Sequence, residues 1–415
     1  MGGGAPIADV RETAGMSHPL DDADPLASFR DRFVGTDSPL VYLDGNSLGR
    51  PLKITGERVR RFVDEEWGGR LIRGWDESWF ELPLSLGDEL GRVCLGAASG
   101  QVTIGDSTTV LLYKLMRTAV AARPGRTEIV MDRDNFPTDR YLAEGVAREC
   151  GLTIRWIETD TSAGATVEQV EDVVGEQTAL VSLSHVSYRS AWIADVPAIT
   201  DAAHRVGALV LWDLCHSVGA VDTQLDAWGV DLAAGCTYKY LNGGPGAPAF
   251  CYVAERHLDT FTQPIQGWLG NTDPFLMGPD YVPVTGIRRF TSGTPAVIGM
   301  LPVQDMVALI DEAGLDAVRA KSVQLTTTCL ELADDHLASY GVSVASPRDP
   351  ARRGGHVTLH HPRMREVVTA LWQHDVLPDY RDPGGLRIGL SPLSTSYDEL
   401  ERGIEQVRVA LAELP

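Results

Sequence analysis

Lysine is scarce in this chain: Lys53, Lys114, Lys239 and Lys321 are the only four in 415 residues. Lys239 lies in GCTYKYLNGGPG (235–246), between two tyrosines and ahead of a glycine-rich loop. That setting suits a tight turn facing a ligand. Lys53 follows a proline near a helix start, Lys114 is mid-helix and Lys321 lies on an amphipathic helix, so all three read as structural. Other groups fall at comparable places. Asp213 ends the apolar run GALVLWD and Ser184 ends TALVSLS. Phe136 and Asp139 belong to the loop DNFPTD, and Thr108 with Thr109 opens a helix behind the capping types Asp106 and Ser107.

A lysine amine, a carboxylate, helix-start hydroxyls, an aromatic ring and a later arginine together meet the demands of pyridoxal 5′-phosphate. The amine condenses with its aldehyde. The carboxylate keeps the pyridine nitrogen protonated, so that the ring withdraws electrons. A helix N-terminus takes the phosphate, an aromatic ring stacks on the cofactor, and an arginine holds a substrate carboxylate. Each residue alone has a plainer reading. Lys239 reads as an exposed lysine, Asp213 as a helix cap, Thr108 and Thr109 as ordinary helix-start residues, and Phe136 as core. His216, three residues after Asp213, reads as a satisfied polar residue or a second cofactor contact. Their occurrence together, in this order, favours the cofactor site.

The elements that position these groups follow from hydrophobic periodicity. TEIVMD (127–132), LTIRWIE (152–158), TALVSLS (178–184), GALVLWD (207–213) and PAFCYV (248–253) are short apolar runs, with helical stretches between the first four. Continuous apolar strands alternating with helices predict an α/β fold: a mostly parallel sheet with helices on both faces. Ligands in such sheets sit beyond the carboxyl ends of the strands, where Ser184, Asp213, Lys239 and the 134–139 loop fall. From about residue 300 the pattern turns helical and then α+β. The expected division is a mobile tail over 1–25, an N-terminal segment over 26–75 packing with the small domain, a large cofactor-binding domain over 76–290, and a small α+β domain over 291–415.

A net charge of −21 argues against nucleic acid or an anionic membrane as partner. Six cysteines without a C-x-x-C pair read as buried free thiols in a reducing cytosol, and no metal site is expected. No run of 18 apolar residues predicts a membrane span. The first residues lack a secretory pattern, and Met16 is an alternative start.

The sequence resembles the kynureninases, within the aspartate-aminotransferase-like (fold-type I) superfamily of pyridoxal phosphate enzymes. The resemblance is carried by YLDGNSLG (42–49), EWG with LIRGW (66–75), NFPTD (135–139), SHVSYRS (184–190), WDLCHSVGA (212–220), GCTYKYLNGGPG (235–246), QGWLG (266–270) and RFTSGTP (289–295). It implies hydrolysis of L-kynurenine, or also 3-hydroxy-L-kynurenine, to anthranilate and L-alanine, in a cytoplasmic homodimer of tryptophan catabolism. By resemblance, Lys239 holds the cofactor, Tyr238 touches its phosphate and takes part in proton transfer, and Asp213 pairs with the ring nitrogen. His216 lies beside the ring, Phe136 stacks on it with Asp139 close by, and Thr108, Thr109 and Ser184 hold further cofactor atoms. Trp268 and Thr294 come from the second subunit, Arg387 binds the substrate carboxylate, and Trp75 lies near the substrate's aromatic end. Two departures stand out. Ala191 occupies a position where the family usually has glycine, and SPLSTSYDEL lacks the usual Pro-Leu-Tyr-Asn run. Another class V-type enzyme, an aminotransferase or lyase, and a non-catalytic cofactor-binding homologue are the alternatives.

Overall fold

The structure, a computed structural model, describes residues 18–414. The described strands are β1 Val41–Tyr42, β2 Val102–Ile104, β3 Glu128–Asp132, β4 Thr153–Ile157, β5 Thr178–Ser184, β6 Leu209–Asp213, β7 Leu232–Gly235, β8 Phe250–Val253, β9 Ser343–Val344, β10 His356–His360, β11 Val376–Leu377, β12 Asp379–Arg381 and β13 Gly385–Gly389.

Seven of them form the central sheet in the order β2-β8-β7-β6-β5-β3-β4. The run from β7 to β4 is parallel, and β8 is antiparallel to both of its neighbours. The five apolar runs became β3, β4, β5, β6 and β8. The pattern gave no strand at β2 or β7, because VTI and LAAG are short and the second lacks β-branched or aromatic residues. Both faces of the sheet are covered. Along β6, Leu209 and Leu211 pack into one core cluster while Val210 and Trp212 pack into another. That two-sided burial is why these strands read as continuous apolar runs instead of alternating ones.

The chain passes from β3 outward to β4 and then returns to the other side of β3 for β5. The loops leaving β3 and β5 therefore diverge, and a crevice opens between their carboxyl ends.

A second core joins Val41 and Leu43 to Leu325, Val357, Leu386, Ile388 and Leu400. Its sheet has the order β12-β13-β10-β9, and β1 pairs in parallel with β11. Packing crosses the division expected at 290. The helix Val297–Ala313 places Met300, Val303, Met306 and Ile310 in a core of the large sheet. Leu26, Phe33 and Leu52 join the same core.

Residues 1–17, most of the expected tail and with it Met16, lie outside the described residues. The remainder of that stretch, 18–25, is docked. Pro19–Asp22 is helical, and the Asp21 carboxylate accepts the N–H groups of Tyr397 and Asp398, both at 2.9 Å. Asp24 forms a buried ion pair with Lys321 at 2.5 Å. The stretch 1–25 is expected from the sequence to be a mobile tail, but these carboxylates cap a helix start and neutralise a buried lysine. No helix among the described residues is long and apolar enough to cross a membrane.

Candidate active site

The buried lysines differ in their partners. Lys114 is fully buried and is satisfied by Asp106 at 2.6 Å and the Phe290 carbonyl at 2.7 Å. Lys321 is paired with Asp24, and Lys53 is exposed. Lys239 is 8% exposed, yet has no carboxylate at ion-pair distance among the described residues. Its Nζ lies 2.9 Å from His216 Nε2. A buried amine without a counter-ion is costly as a structural device, and such groups gather at functional sites.

The surrounding elements explain the location. Lys239 follows β7, and Asp213 ends the neighbouring β6 with its Oδ1 accepting the Cys215 N–H at 2.7 Å. That bond turns the chain back and brings His216 over Lys239. Ser184 stands beside Asp213 in register at the end of β5. Across the crevice, its hydroxyl donates to Asn135 Oδ1 at 3.1 Å. Phe136 follows, half exposed, with its ring centroid 5.8 Å from Lys239 Nζ and edge-on to Tyr188. Tyr238 holds its ring 5.9 Å from the same Nζ.

Charge in this group is set by burial. Asp139 is held well above the usual carboxylate range by burial and by the charges of Asp213 and Asp132, with Lys239 acting against them. Asp132 is pushed up to about 7, mainly by burial. His216 is kept neutral by burial and by the charges of Lys239 and Arg387. Burial also raises the Tyr238 phenol.

Thr108 and Thr109 begin the helix Thr108–Ala121, capped by Ser107, whose hydroxyl accepts the Val110 N–H at 3.4 Å. First-turn N–H groups have no intrahelical acceptor, which leaves a site for an anion. Asp106, just before this cap, accepts the Ser292 hydroxyl at 3.1 Å, so the segment carrying Thr294 leans on the helix start. Thr294 is exposed and Trp268 is 37% exposed. Trp75 packs edge-on against Trp79 with centroids 5.4 Å apart, in a cluster with Phe62, Val297 and Leu301. The fold thus gathers Lys239, Tyr238, His216, Asp213, Phe136, Asp139 and Ser184 into one group. Trp75, Trp268 and Thr294 make no hydrogen bond or ring contact with that group among the described residues; Trp268 packs against Phe80, and its neighbour Leu269 donates to the Ser292 carbonyl near Thr294.

Arg387 is 1% exposed on β13. It donates from Nη1 to the Tyr188 carbonyl at 2.8 Å and from Nη2 to Ser47 Oγ at 2.7 Å, and Nη2 pairs with Asp379 at 2.6 Å. Sequence reasoning did not single out Asp379, Ser47, Tyr188, Asn135 or His356 as site residues. Ser47 and Tyr188 lay inside quoted motifs, but nothing in their spacing announced contact with Arg387. Ala191 takes the left-handed φ of 64° while fully buried, which is why glycine suits that position.

The residues fit pyridoxal phosphate by their own chemistry: a buried amine with no described counter-ion, a carboxylate at the end of the neighbouring strand, and a His216 Nδ1 that is buried without a partner. The comparisons agree on the class. Residues 89–250 match the model for Cys/Met metabolism PLP-dependent enzymes. The fold is that of a cysteine desulfurase from Thermococcus onnurineus NA1 (TM-score 0.79, 19% identity, covering 97% of this chain and 100% of that one). It is equally that of a C-DES variant with glycine covalently linked to its PLP cofactor (TM-score 0.80, 17% identity, covering 91% and 98%). The chain is a fold-type I, pyridoxal phosphate-dependent protein. Residues 318–407 match the kynureninase C-terminal domain. The kynureninase of Burkholderia pseudomallei (strain 1106a) is 38% identical over 94% of this chain and 93% of its own length. That of Pseudomonas fluorescens is 38% identical over 92% and 91%. The chain belongs to the kynureninase family. A desulfurase needs an accessible nucleophilic cysteine late in the chain. Cys329 is fully buried mid-helix, its thiol pushed up to about 12 by burial.

Proposed function

We propose that this protein hydrolyses L-kynurenine to anthranilate and L-alanine, with Lys239 as the residue that binds pyridoxal phosphate. The observation that carries the reading is the buried Lys239 amine, free of any described counter-ion and set against His216 at the carboxyl ends of the strands. When bound, the cofactor supplies an electron sink for the bond cleavage. Lys239 takes the α-proton of the substrate. Asp213 would pair with the ring nitrogen and keep it protonated. Phe136, Asp139, Ser184 and His216 would hold the cofactor ring, and Tyr238, Thr108 and Thr109 would hold its phosphate. Water adds at the γ-carbonyl carbon, the bond between the β and γ carbons breaks, and the β carbon gains a proton. Arg387 takes the substrate carboxylate, and Trp75 meets its aromatic end.

The working unit is a homodimer, in which the partner's copies of Trp268 and Thr294 complete the site. Trp268, Phe80 and Phe275 form a ring cluster flanked by exposed Leu276 and Met277, an apolar surface suited to a second copy. The setting is cytoplasmic, in keeping with six free cysteines. The deciding experiment is anthranilate fluorescence from purified, cofactor-loaded protein given L-kynurenine or 3-hydroxy-L-kynurenine. Release of anthranilate, or of its hydroxy analogue, supports the reading. A cofactor-loaded protein that releases neither overturns it.

A further inference from the structure

Three ring nitrogens near Lys239 lack a partner. His216 turns Nε2 to Lys239 Nζ at 2.9 Å, while its Nδ1 is buried and unpaired. His356 is fully buried, and neither of its ring nitrogens has a partner in hydrogen-bonding geometry. The two imidazole centroids are 5.5 Å apart, with the planes inclined at 55°. A hydrogen bond between the two rings requires that they rotate from these positions. Leaving such groups unpaired in a buried place costs about 1–3 kcal/mol each, so the pair needs a reason to exist.

The small sheet supplies the geometry. His356 faces Gly389 across β10 and β13, and Thr358 faces Arg387. Residues two apart on a strand, and residues directly opposite, share a face. His356, Thr358 and Arg387 therefore look the same way, toward the 188–189 loop. Arg387 donates to the Tyr188 carbonyl, Thr358 donates to the Arg189 carbonyl, and both carbonyls lie against the His356 ring.

Both imidazoles are neutral, because burial and the charges of Lys239 and Arg387 disfavour the cation. A neutral imidazole has one donor and one acceptor nitrogen. A carbonyl only accepts. With a carbonyl at one end, a chain through two neutral imidazoles has a single direction. It runs from Lys239 N–H to His216 Nε2, from His216 Nδ1–H to His356, and from His356 N–H to the carbonyl of Tyr188 or Arg189. We propose that His356 is a positioning residue that holds His216 in the tautomer protonated at Nδ1, keeping the Nε2 lone pair toward the cofactor lysine. The inference rests on the reading of Lys239 given above.

The test is nitrogen NMR of ¹⁵N-histidine-labelled protein, with and without pyridoxal phosphate, with His216 assigned by the signal lost in His216→Gln. The wild type should show His216 protonated at Nδ1 and bare at Nε2. His356→Leu should give mixed tautomers at His216 and a kcat/KM lower by about tenfold, the loss of one neutral hydrogen bond. His356→Gln, whose amide supplies one donor and one acceptor, should restore both. A wild-type His216 protonated at Nε2 overturns the proposal and needs no variant to fold. A folded His356→Leu protein with the wild-type tautomer overturns it as well. A wild type with the expected tautomer but no anthranilate release would sink the functional reading alone.

Discussion

Arg387 Nη2 lies 2.6 Å from Asp379 Oδ2, its cross-strand neighbour in β12 and β13. Arg381 reaches the same oxygen at 3.0 Å from a partly exposed position. Two arginines thus share one carboxylate, and the buried one also binds the Tyr188 carbonyl and Ser47. Asp44, close by, is pushed up to about 6 by burial and the Asp379 charge. In the proposed function, a substrate carboxylate would compete with Asp379 for the buried Arg387 guanidinium, and Arg381 would retain Asp379.

Arg387→Lys should therefore act twice. A point charge replaces a fork, so kcat/KM should fall by about ten- to a hundredfold, chiefly through KM, with cofactor absorbance retained. The loss of its bonds to the 188 loop and Ser47 should also lower the melting temperature. Arg381→Lys should do much less on both counts. Steady-state kinetics and thermal melts of the two variants decide it: the opposite pattern makes Arg381 the carboxylate clamp.

Borohydride reduction of cofactor-loaded protein, followed by peptide mapping, should label Lys239. Lys114 and Lys321 are already neutralised by Asp106 and Asp24, so label on either of them, or on Lys53, rejects the assignment.

Asp213→Asn keeps an acceptor for the Cys215 N–H and so keeps the turn that places His216. It removes the charge that, in the proposed function, would hold a proton on the cofactor ring. The variant should bind cofactor, by absorbance, yet lose turnover worth about 2–5 kcal/mol of transition-state stabilisation. Near-normal turnover in the purified variant would reject the role.

The carboxyl-end group was legible in the sequence because its members end strands, and strand ends show as the last residue of an apolar run. Ser184, Asp213 and the 134–139 loop needed no more than that. Arg387 was reached by resemblance, and its burial between Asp379, Tyr188 and Ser47 was not visible. Those partners come from three separate stretches joined only by tertiary packing. His356 was silent for a related reason: a polar residue at the start of a strand looks like an exposed one until the second core covers it. Asp21 and Asp24 were not read as anchors, because the donors they meet, the Tyr397 and Asp398 N–H groups and Lys321, reach them only through tertiary packing.

The Trp268–Phe80–Phe275 cluster predicts self-association. Phe275→Asp places a charge on a surface that holds exposed Leu276 and Met277. By light scattering, the wild type should be a dimer, and the variant should shift toward monomer with a proportional loss of activity. A fully active wild-type monomer contradicts the shared site.

Asp231 predicts the direction of acid sensitivity. It is 2% exposed and accepts from the Val210 N–H at 2.9 Å and from Arg256 at 2.7 Å, with His204 and His257 at 2.8 and 2.7 Å. Burial opposes its ionisation, but the hydrogen bonds from His204 and His257 and the His204 charge outweigh burial and hold its acid well below the usual carboxylate range. With the folded value below the unfolded one, the folded state binds fewer protons. The stabilisation is then complete above the ordinary carboxylate range and drains away as pH falls through it toward the folded value. In urea unfolding, Asp231→Asn should be less stable than the wild type at pH 7 by on the order of 3 kcal/mol. That difference should shrink steadily between about pH 5 and pH 2. A gap that stays constant over this range would mean that Asp231 contributes through shape alone and that its charge is not what binds the 204 and 257 segments to β6.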